Sequence, residues 1–408
     1  MNFSRHVLRS LVVASGIGFY LAPRIEPVHR KCNILTNCEP LAHCSDCSNH
    51  MKTECPKIEE ELIKRTGKMP VLGIVSGTAS TKLSREIARL LGTRLEKMEV
   101  KRFSDGEVFC TYQESVRGRK LYIIQSCAPP VNDNIMELFL LVTAARRAGA
   151  NKITAVIPYF GYKYHRRGTS MSTKHQSRFL WSTSADFAKL LQSAGVDNVI
   201  AVDLQRPGQG HEGCFFDNMI PVETIHSTRL MADYCGKNFT FENPLVIVAS
   251  SAGCMKKSIV FRDQLVKSRG LPPVSCKHSS PIVEHALFTH STNESEFLGD
   301  VGGCDVIIID EVVETANSLC TLCHQLKKRG AKKIYLCASH GLFTKESMSL
   351  IDLSPVEKVV VTDTVDLSSK YCASKKITQV SIAKLLAHVI DTDHFVPRKE
   401  ESETLEVE

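Results

Sequence analysis

No run of about 18 apolar residues, the length that marks a membrane-spanning helix, occurs in this chain of 408 residues. Mean hydropathy is −0.08, so a polytopic membrane protein is excluded and no integral membrane role is expected. A dense basic stripe is also missing. The 51 Lys and Arg exceed the 44 Asp and Glu by seven, spread over the whole length. That balance suits an anionic small ligand and leaves no footprint for nucleic acid. Cysteine is too dilute for a disulfide scaffold, with 16 residues in a chain of this size. Most stand singly in apolar runs, as Cys254, Cys276 and Cys337 do, which reads as buried free thiols in a reducing compartment. Short repeats and low-complexity tracts are absent. At 43% hydrophobic and 23% charged the composition is that of a globular protein, and the length favours two or three domains.

Residues 1–68 read differently from the rest. Arg5 and Arg9 precede a short apolar stretch, Leu11 to Ala22, and no acidic residue appears before Glu26. The pattern suits a secretory segment, a short anchor or an organelle presequence, and the basic, acid-free start favours the last. A cytoplasmic or organellar location is therefore expected. Cys44-x-x-Cys47, with His43 and His50 nearby, lacks the second spaced pair that a zinc site needs. Residues 392–408 form an acidic tail.

Between these ends, strand and helix signals alternate. Apolar runs at Val71–Val75, Leu121–Ile124, Ile153–Ile157 and Val199–Val202 read as strands. Helical spacing follows Ser80 and Thr81, both candidate caps, and helices are also expected from Asp133 and over Ala185–Leu191. A second series has strands at Leu245–Val248, Val306–Ile309, Ile334–Cys337 and Val359–Val361. Its helices fall near Met255–Val266, Leu319–Lys328 and Ser381–Val389. Such alternation predicts two doubly wound α/β domains with mostly parallel sheets, over residues 69–221 and 222–391. Ligands in such sheets sit beyond the carboxyl ends of strands.

Four stretches at strand ends carry chemistry. In Asp305 to Ser318 an apolar strand runs into Asp310, Glu311 and Glu314, then Thr315, Asn317 and Ser318 at a helix start. Carboxylates can accept hydrogen bonds from sugar hydroxyls, and hydroxyls with free backbone N–H groups can hold a phosphate. An ordinary acidic turn capped by Ser318 fits equally well. Asp105-Gly-Glu107 reads as a polar turn between strands that can also present two carboxylates to a nucleotide. Tyr162 to Thr183 gathers Lys163, His165, Arg166, Arg167, Lys174, His175 and Arg178, enough cations to embrace a polyphosphate or to line a solvated loop. Lys277 follows the strand-like Pro273–Cys276.

Several further motifs occur in order. They are Arg102-Phe-Ser-Asp-Gly-Glu107, Glu114-Ser-Val-Arg-Gly118, Asn132-Asp-Asn-Ile-Met-Glu-Leu138, Ala155-Val-Ile-Pro-Tyr-Phe-Gly-Tyr162, Leu298-Gly-Asp300 and Val359-Val-Val-Thr-Asp-Thr364. Together they make the chain resemble the class I phosphoribosyl pyrophosphate synthetases over about residues 70–391. The resemblance implies two phosphoribosyltransferase-like domains and magnesium-dependent transfer of the β,γ-pyrophosphoryl group of ATP to ribose 5-phosphate, releasing AMP. It also implies assembly as dimers building hexamers, as a homo-oligomer or with synthetase paralogues. By resemblance Asp105 and Glu107 contact adenine across a subunit boundary, and His165 stands in the ATP-facing loop, where Lys163-Tyr164-His165 replaces Ala-Arg-Gln. Lys277 stabilises the transition state. Asp310, Glu311, Glu314, Thr315, Asn317 and Ser318 occupy the ribose-phosphate loop.

The chain departs from the family at the metal. Gln205 stands where a ligating His is expected, and Ser251 where an Asp is expected. His211 and Glu212, in a short insertion, are the replacement candidates. Ser279 replaces an arginine two residues after Lys277, and the ribose-phosphate loop holds Ala316 and Asn317 in place of glycines. Glycine permits backbone geometry that Ala316 resists, whereas Asn317 tolerates left-handed conformations. Two readings stay open: an active synthetase, and a catalytically impaired associated subunit that assembles with active chains. A plain phosphoribosyltransferase fits less well, because the Asp105–Glu107 turn and the two-domain length match the synthetase.

Overall fold

The computed structural model describes residues 72–162, 182–204, 216, 220–269, 282–290, 295–367 and 374–395, all within one compact unit, Thr53–Glu408. The N-terminal extension and the acidic end after 395 lie outside the described residues, as does Cys276.

The first sheet takes five parallel strands, β1 (Leu72–Ser76), β4 (Lys120–Ile124), β5 (Lys152–Ile157), β6 (Asn198–Val202) and β7 (Val222–Ile225), in that spatial order. Their apolar runs are continuous rather than alternating because both faces are covered. Val75, Leu121, Ile123, Ile153 and Ala155 face helices α2 (Val131–Arg147) and α3 (Ser182–Ala194). Ile74, Tyr122, Ile124, Val156 and Ile200 face α1 (Thr81–Leu90). A separate antiparallel hairpin, β2 (Met98–Arg102) and β3 (Val108–Tyr112), rests on α2. Ser80 does not cap α1; its hydroxyl accepts the Ser126 N–H at 2.8 Å, tying the β1 end to the β4 end. The helix expected from Asp133 starts two residues earlier, at Val131, directly after Pro130. Asp133 instead pairs with Arg102 at 3.0 Å.

After β7 the chain crosses through α4 (Thr228–Asn238) to the second sheet, a few residues beyond the expected 221/222 division. The second sheet contains β8 (Leu245–Ala249), β9 (Ile282–His290), β10 (Ser295–Leu298), β11 (Asp305–Val313), β12 (Ile334–Gly341), β13 (Lys358–Thr362) and β14 (Ile377–Val380). Their order is β10-β9-β8-β11-β12-β13-β14, parallel except for the β10–β9 pair. Helices α6 (Asn317–Lys328) and α7 (Lys345–Leu353) cover one face through Leu319, Leu322, Leu326, Met348 and Ile351. Helix α4 and α5 (Met255–Ser268) cover the other through Met231, Cys235, Phe261 and Leu265. Cys254 and Cys337 are buried free thiols.

The last helix, α8 (Ala383–Phe395), returns to the first sheet, where Ile382, Leu386 and Ile390 pack with Ile74, Leu83 and Ile87. Asp393 fastens it. The Tyr122 hydroxyl donates to its carboxylate at 2.6 Å, and the Lys152 ammonium lies 3.2 Å away.

Candidate active site

Strand order reverses between β8 and β11. From β8 the chain steps outward to β9 and β10, then returns to place β11 on the other side. The loops leaving these two strands diverge to opposite faces and open a crevice at their carboxyl ends, which is where doubly wound sheets hold ligands. The loops are Ser250-Ser251-Ala252-Gly253 after β8 and Glu314 to Ser318 after β11.

Pairing of Ala249 with Ile309, and the Ser250 N–H bond to the Ile309 carbonyl at 3.1 Å, brings Ser251 beside Asp310. The strand runs farther than the expected Val306–Ile309. It continues to Val313 because Asp310, Val312 and Val313 pair with Ala338, His340 and Gly341 of the long β12. Asp310 and Glu311 are thus held in regular strand geometry, which turns successive side chains to opposite faces. Asp310 is half-buried at the rim and Glu311 is 8% exposed. The Ser250 and Ser251 hydroxyls reach the Cys254 sulfur at 3.6 and 3.5 Å, and the Cys254 thiol in turn points to Asp310 Oδ1 at 3.8 Å. Burial raises the Cys254 thiol and the Asp310 charge adds to this, so it stays protonated and able to donate.

Beyond Val313 the backbone turns sharply. Ala316, not Asn317, adopts the left-handed conformation, with φ 59° and ψ −3°. Asn317 is already the first residue of α6, and Ser318 does not cap it. No side-chain hydrogen bond caps this helix start, and Thr315, Asn317 and Ser318 are exposed around it, so its first-turn N–H groups are candidate donors to an anion. The methyl of Ala316 is 4% exposed within the core cluster that includes Leu319, so it does not occupy the crevice.

Asp105 and Glu107 are not in the crevice. Both are exposed at the tip of the β2–β3 hairpin, where the Asp105 carboxylate accepts the Glu107 N–H at 3.0 Å and Gly106 takes φ 95°. Phe103 and Phe109 flank them, 53% and 40% exposed, with ring centroids 6.1 Å apart. An acidic, aromatic tip standing clear of its own sheet suits contact with a second molecule. His165, Gln205, His211, Glu212, Lys277 and Ser279 lie outside the described residues, so Ser251 is the one expected metal position that is described. It offers a hydroxyl already engaged with Cys254. Among the described residues no group of three His, Cys, Asp or Glu is placed to hold a metal ion.

Sequence reasoning passed over three residues at this site. Cys254 looked like one more core thiol. Lys257 carries no motif, Asp203 stands in the Val-Asp-Leu run before Gln205 without a role of its own, and each takes its meaning from a partner far along the chain. The available signal was a charged residue in or beside an apolar strand or helix face, where burial demands a counter-charge.

Residues 72–195 match the family model for the N-terminal domain of ribose phosphate pyrophosphokinase, and residues 262–400 match the phosphoribosyl synthetase-associated domain. A ribose-phosphate pyrophosphokinase of Aquifex aeolicus is 35% identical over 318 residues, 78% of this chain and 94% of that one. The chloroplastic ribose-phosphate pyrophosphokinase 5 of Arabidopsis thaliana is 32% identical over 82% of this chain and 78% of its own length. The crystal structure of phosphoribosylpyrophosphate synthetase from Mycobacterium smegmatis superposes with a TM-score of 0.67 at 25% identity, over 80% of this chain and 99% of that one.

Proposed function

The chain belongs to the ribose-phosphate pyrophosphokinase family, and from that premise we propose that it makes phosphoribosyl pyrophosphate from ATP and ribose 5-phosphate for nucleotide biosynthesis. The observation that supports this most is the β11–α6 junction, where two strand carboxylates lead directly into an uncapped helix N-terminus. That order matches ribose 5-phosphate end to end, hydroxyls at one end and a dianion at the other.

In this reading Asp310 and Glu314 face the ribose hydroxyls, and the buried Glu311, on the opposite side of β11, backs them. Thr315, Asn317, Ser318 and the first turn of α6 receive the 5-phosphate. The sugar's 1-hydroxyl oxygen forms a bond to the β-phosphorus of ATP, the bond from that phosphorus to the α,β-bridging oxygen breaks, and AMP leaves with the bridging oxygen. The hydroxyl proton passes to solvent or phosphate. Lys277 and His165 supply positive charge to the phosphates, and Asp105 and Glu107 reach the adenine bound by a neighbouring subunit in an oligomer.

Ser251 and Cys254 are poor partners for a hard cation, so the described residues fit a magnesium held largely by substrate phosphates, with Asp310 as a protein carboxylate. When bound, it neutralises charge on the phosphates. Gln205 and His211 are the other candidates. The N-terminal segment is proposed as an organelle presequence on its charge pattern alone.

The relatives' names favour catalysis over the associated-subunit alternative. The test is AMP release by the purified chain with ATP, ribose 5-phosphate and magnesium. Activity should fall about 10- to 100-fold in Asp310→Asn, the worth of one or two charge-assisted hydrogen bonds. A chain inert alone that changes the rate of an intact synthetase would reverse the conclusion.

A further inference from the structure

Among the described residues, four links join the carboxyl ends of β4, β5, β6 and β7 to the second lobe. Ser126, after β4, donates to the Thr364 carbonyl at 2.7 Å. Tyr159, after β5, meets the His340 ring edge-on at 5.1 Å. Ser227, after β7, reaches the Ser339 hydroxyl at 3.1 Å. Asp203, after β6, lies 3.4 Å from the ammonium of Lys257 on α5, which also donates to Ser339 at 2.9 Å.

Of these four links, only the last is between full charges. Asp203 is 1% exposed and holds a left-handed backbone, φ 47°. Such strain in a non-glycine persists only where surroundings over-determine it. Here they do: its carboxylate accepts the Ser227 hydroxyl at 2.5 Å and the Ser227 N–H at 3.3 Å, faces His226 at 3.4 Å, and pairs with Lys257. Leu204 follows, 1% exposed, and Gln205 comes next. The side chain of Lys257 is 10% exposed. Burial pulls its ammonium down, but Asp203 and Glu311 together more than reverse this and hold it above the ordinary lysine range. One buried cation of the second lobe therefore pairs with a buried carboxylate of the first.

A buried ion pair contributes little to stability compared with an apolar pair of the same volume, because desolvation offsets attraction. What such a pair does supply is a fixed arrangement. We propose that Lys257 is a positioning residue for pyrophosphoryl transfer, holding Asp203 and the carboxyl end of β6 against Ser339 of β12. This rests on the reaction proposed above.

The test compares Lys257→Met with the double variant Lys257→Met/Asp203→Asn. Loss of Lys257 alone strands a buried carboxylate, so melting temperature and turnover both fall. The double variant removes both charges of the pair and recovers melting temperature. Its turnover stays about ten- to hundredfold low, the scale of a misplacement of about 1 Å, and calorimetry shows ribose 5-phosphate binding weakened at least tenfold. Recovery of turnover together with melting temperature would make the pair merely structural and overturn the proposal. Wild-type turnover and binding in a folded Lys257→Met would do the same. A wild-type chain that neither binds ribose 5-phosphate nor releases AMP would instead sink the reaction, and this inference with it.

Discussion

Replacing Ala316 by glycine separates two accounts of the ribose-phosphate loop. On sequence grounds alanine should obstruct the close approach that glycine allows. In the structure Ala316 takes the left-handed conformation regardless and buries its methyl. That conformation costs an L-residue about 1–2 kcal/mol, which glycine would relieve. Against this, the buried methyl forfeits about 0.8 kcal/mol. The freer unfolded glycine chain forfeits about 0.5–1 kcal/mol more. Gain and loss nearly cancel, so Ala316→Gly should move unfolding free energy by less than about 1 kcal/mol in denaturant titration. Because the methyl faces the core, the KM for ribose 5-phosphate should change less than about threefold, well under the 1.4 kcal/mol of a tenfold effect. Ala316→Val, branched at positive φ in a packed cluster, should cost at least about 2 kcal/mol. A tenfold fall in KM for the glycine variant would refute the reasoning, since it would mean that the methyl had been blocking the phosphate.

Asp393→Ala should loosen α8 from the first sheet, costing about 1.5–3 kcal/mol for a charged hydrogen bond. Burial tends to raise the Asp393 carboxyl, but the Tyr122 hydroxyl and Lys152 overcome this and lower it. Its contribution is therefore present above the unfolded carboxyl value and lost as pH falls through the folded one, so the variant and wild type should converge in acid denaturation below about pH 4. Asp105→Ala/Glu107→Ala should leave folding unchanged, because both side chains are exposed. Mixed with Lys277→Ala, it should regain part of the activity that neither chain has alone. No activity in the mixture would show that the hairpin serves its own subunit.

The alternation of elements was legible because each parallel strand, covered on both faces, is a short unbroken apolar run, and each helix shows a 3.6-residue rhythm. Strands β9, β10 and β14 were not, since their sequences mix polar and apolar residues at or next to the edges of the sheet. The Asp310–Ser318 loop was legible because acids and hydroxyls stand together in sequence, as they do in space. The position of its left-handed residue was not legible. Propensity points to Asn317, but extension of β11 along β12 to Gly341 decides where the turn falls.

Local chemistry by itself determined the fold class, the family and the acidic, hydroxyl-bearing character of the loop between β11 and α6. Which helix returns to the first sheet, which thiol leans on Asp310, and which lysine answers a carboxylate buried 54 positions earlier were decided only by tertiary structure. Lys257 and Asp203 are ordinary charged residues until folding removes water from both. Only then does the cost of an unpaired charge make each require the other.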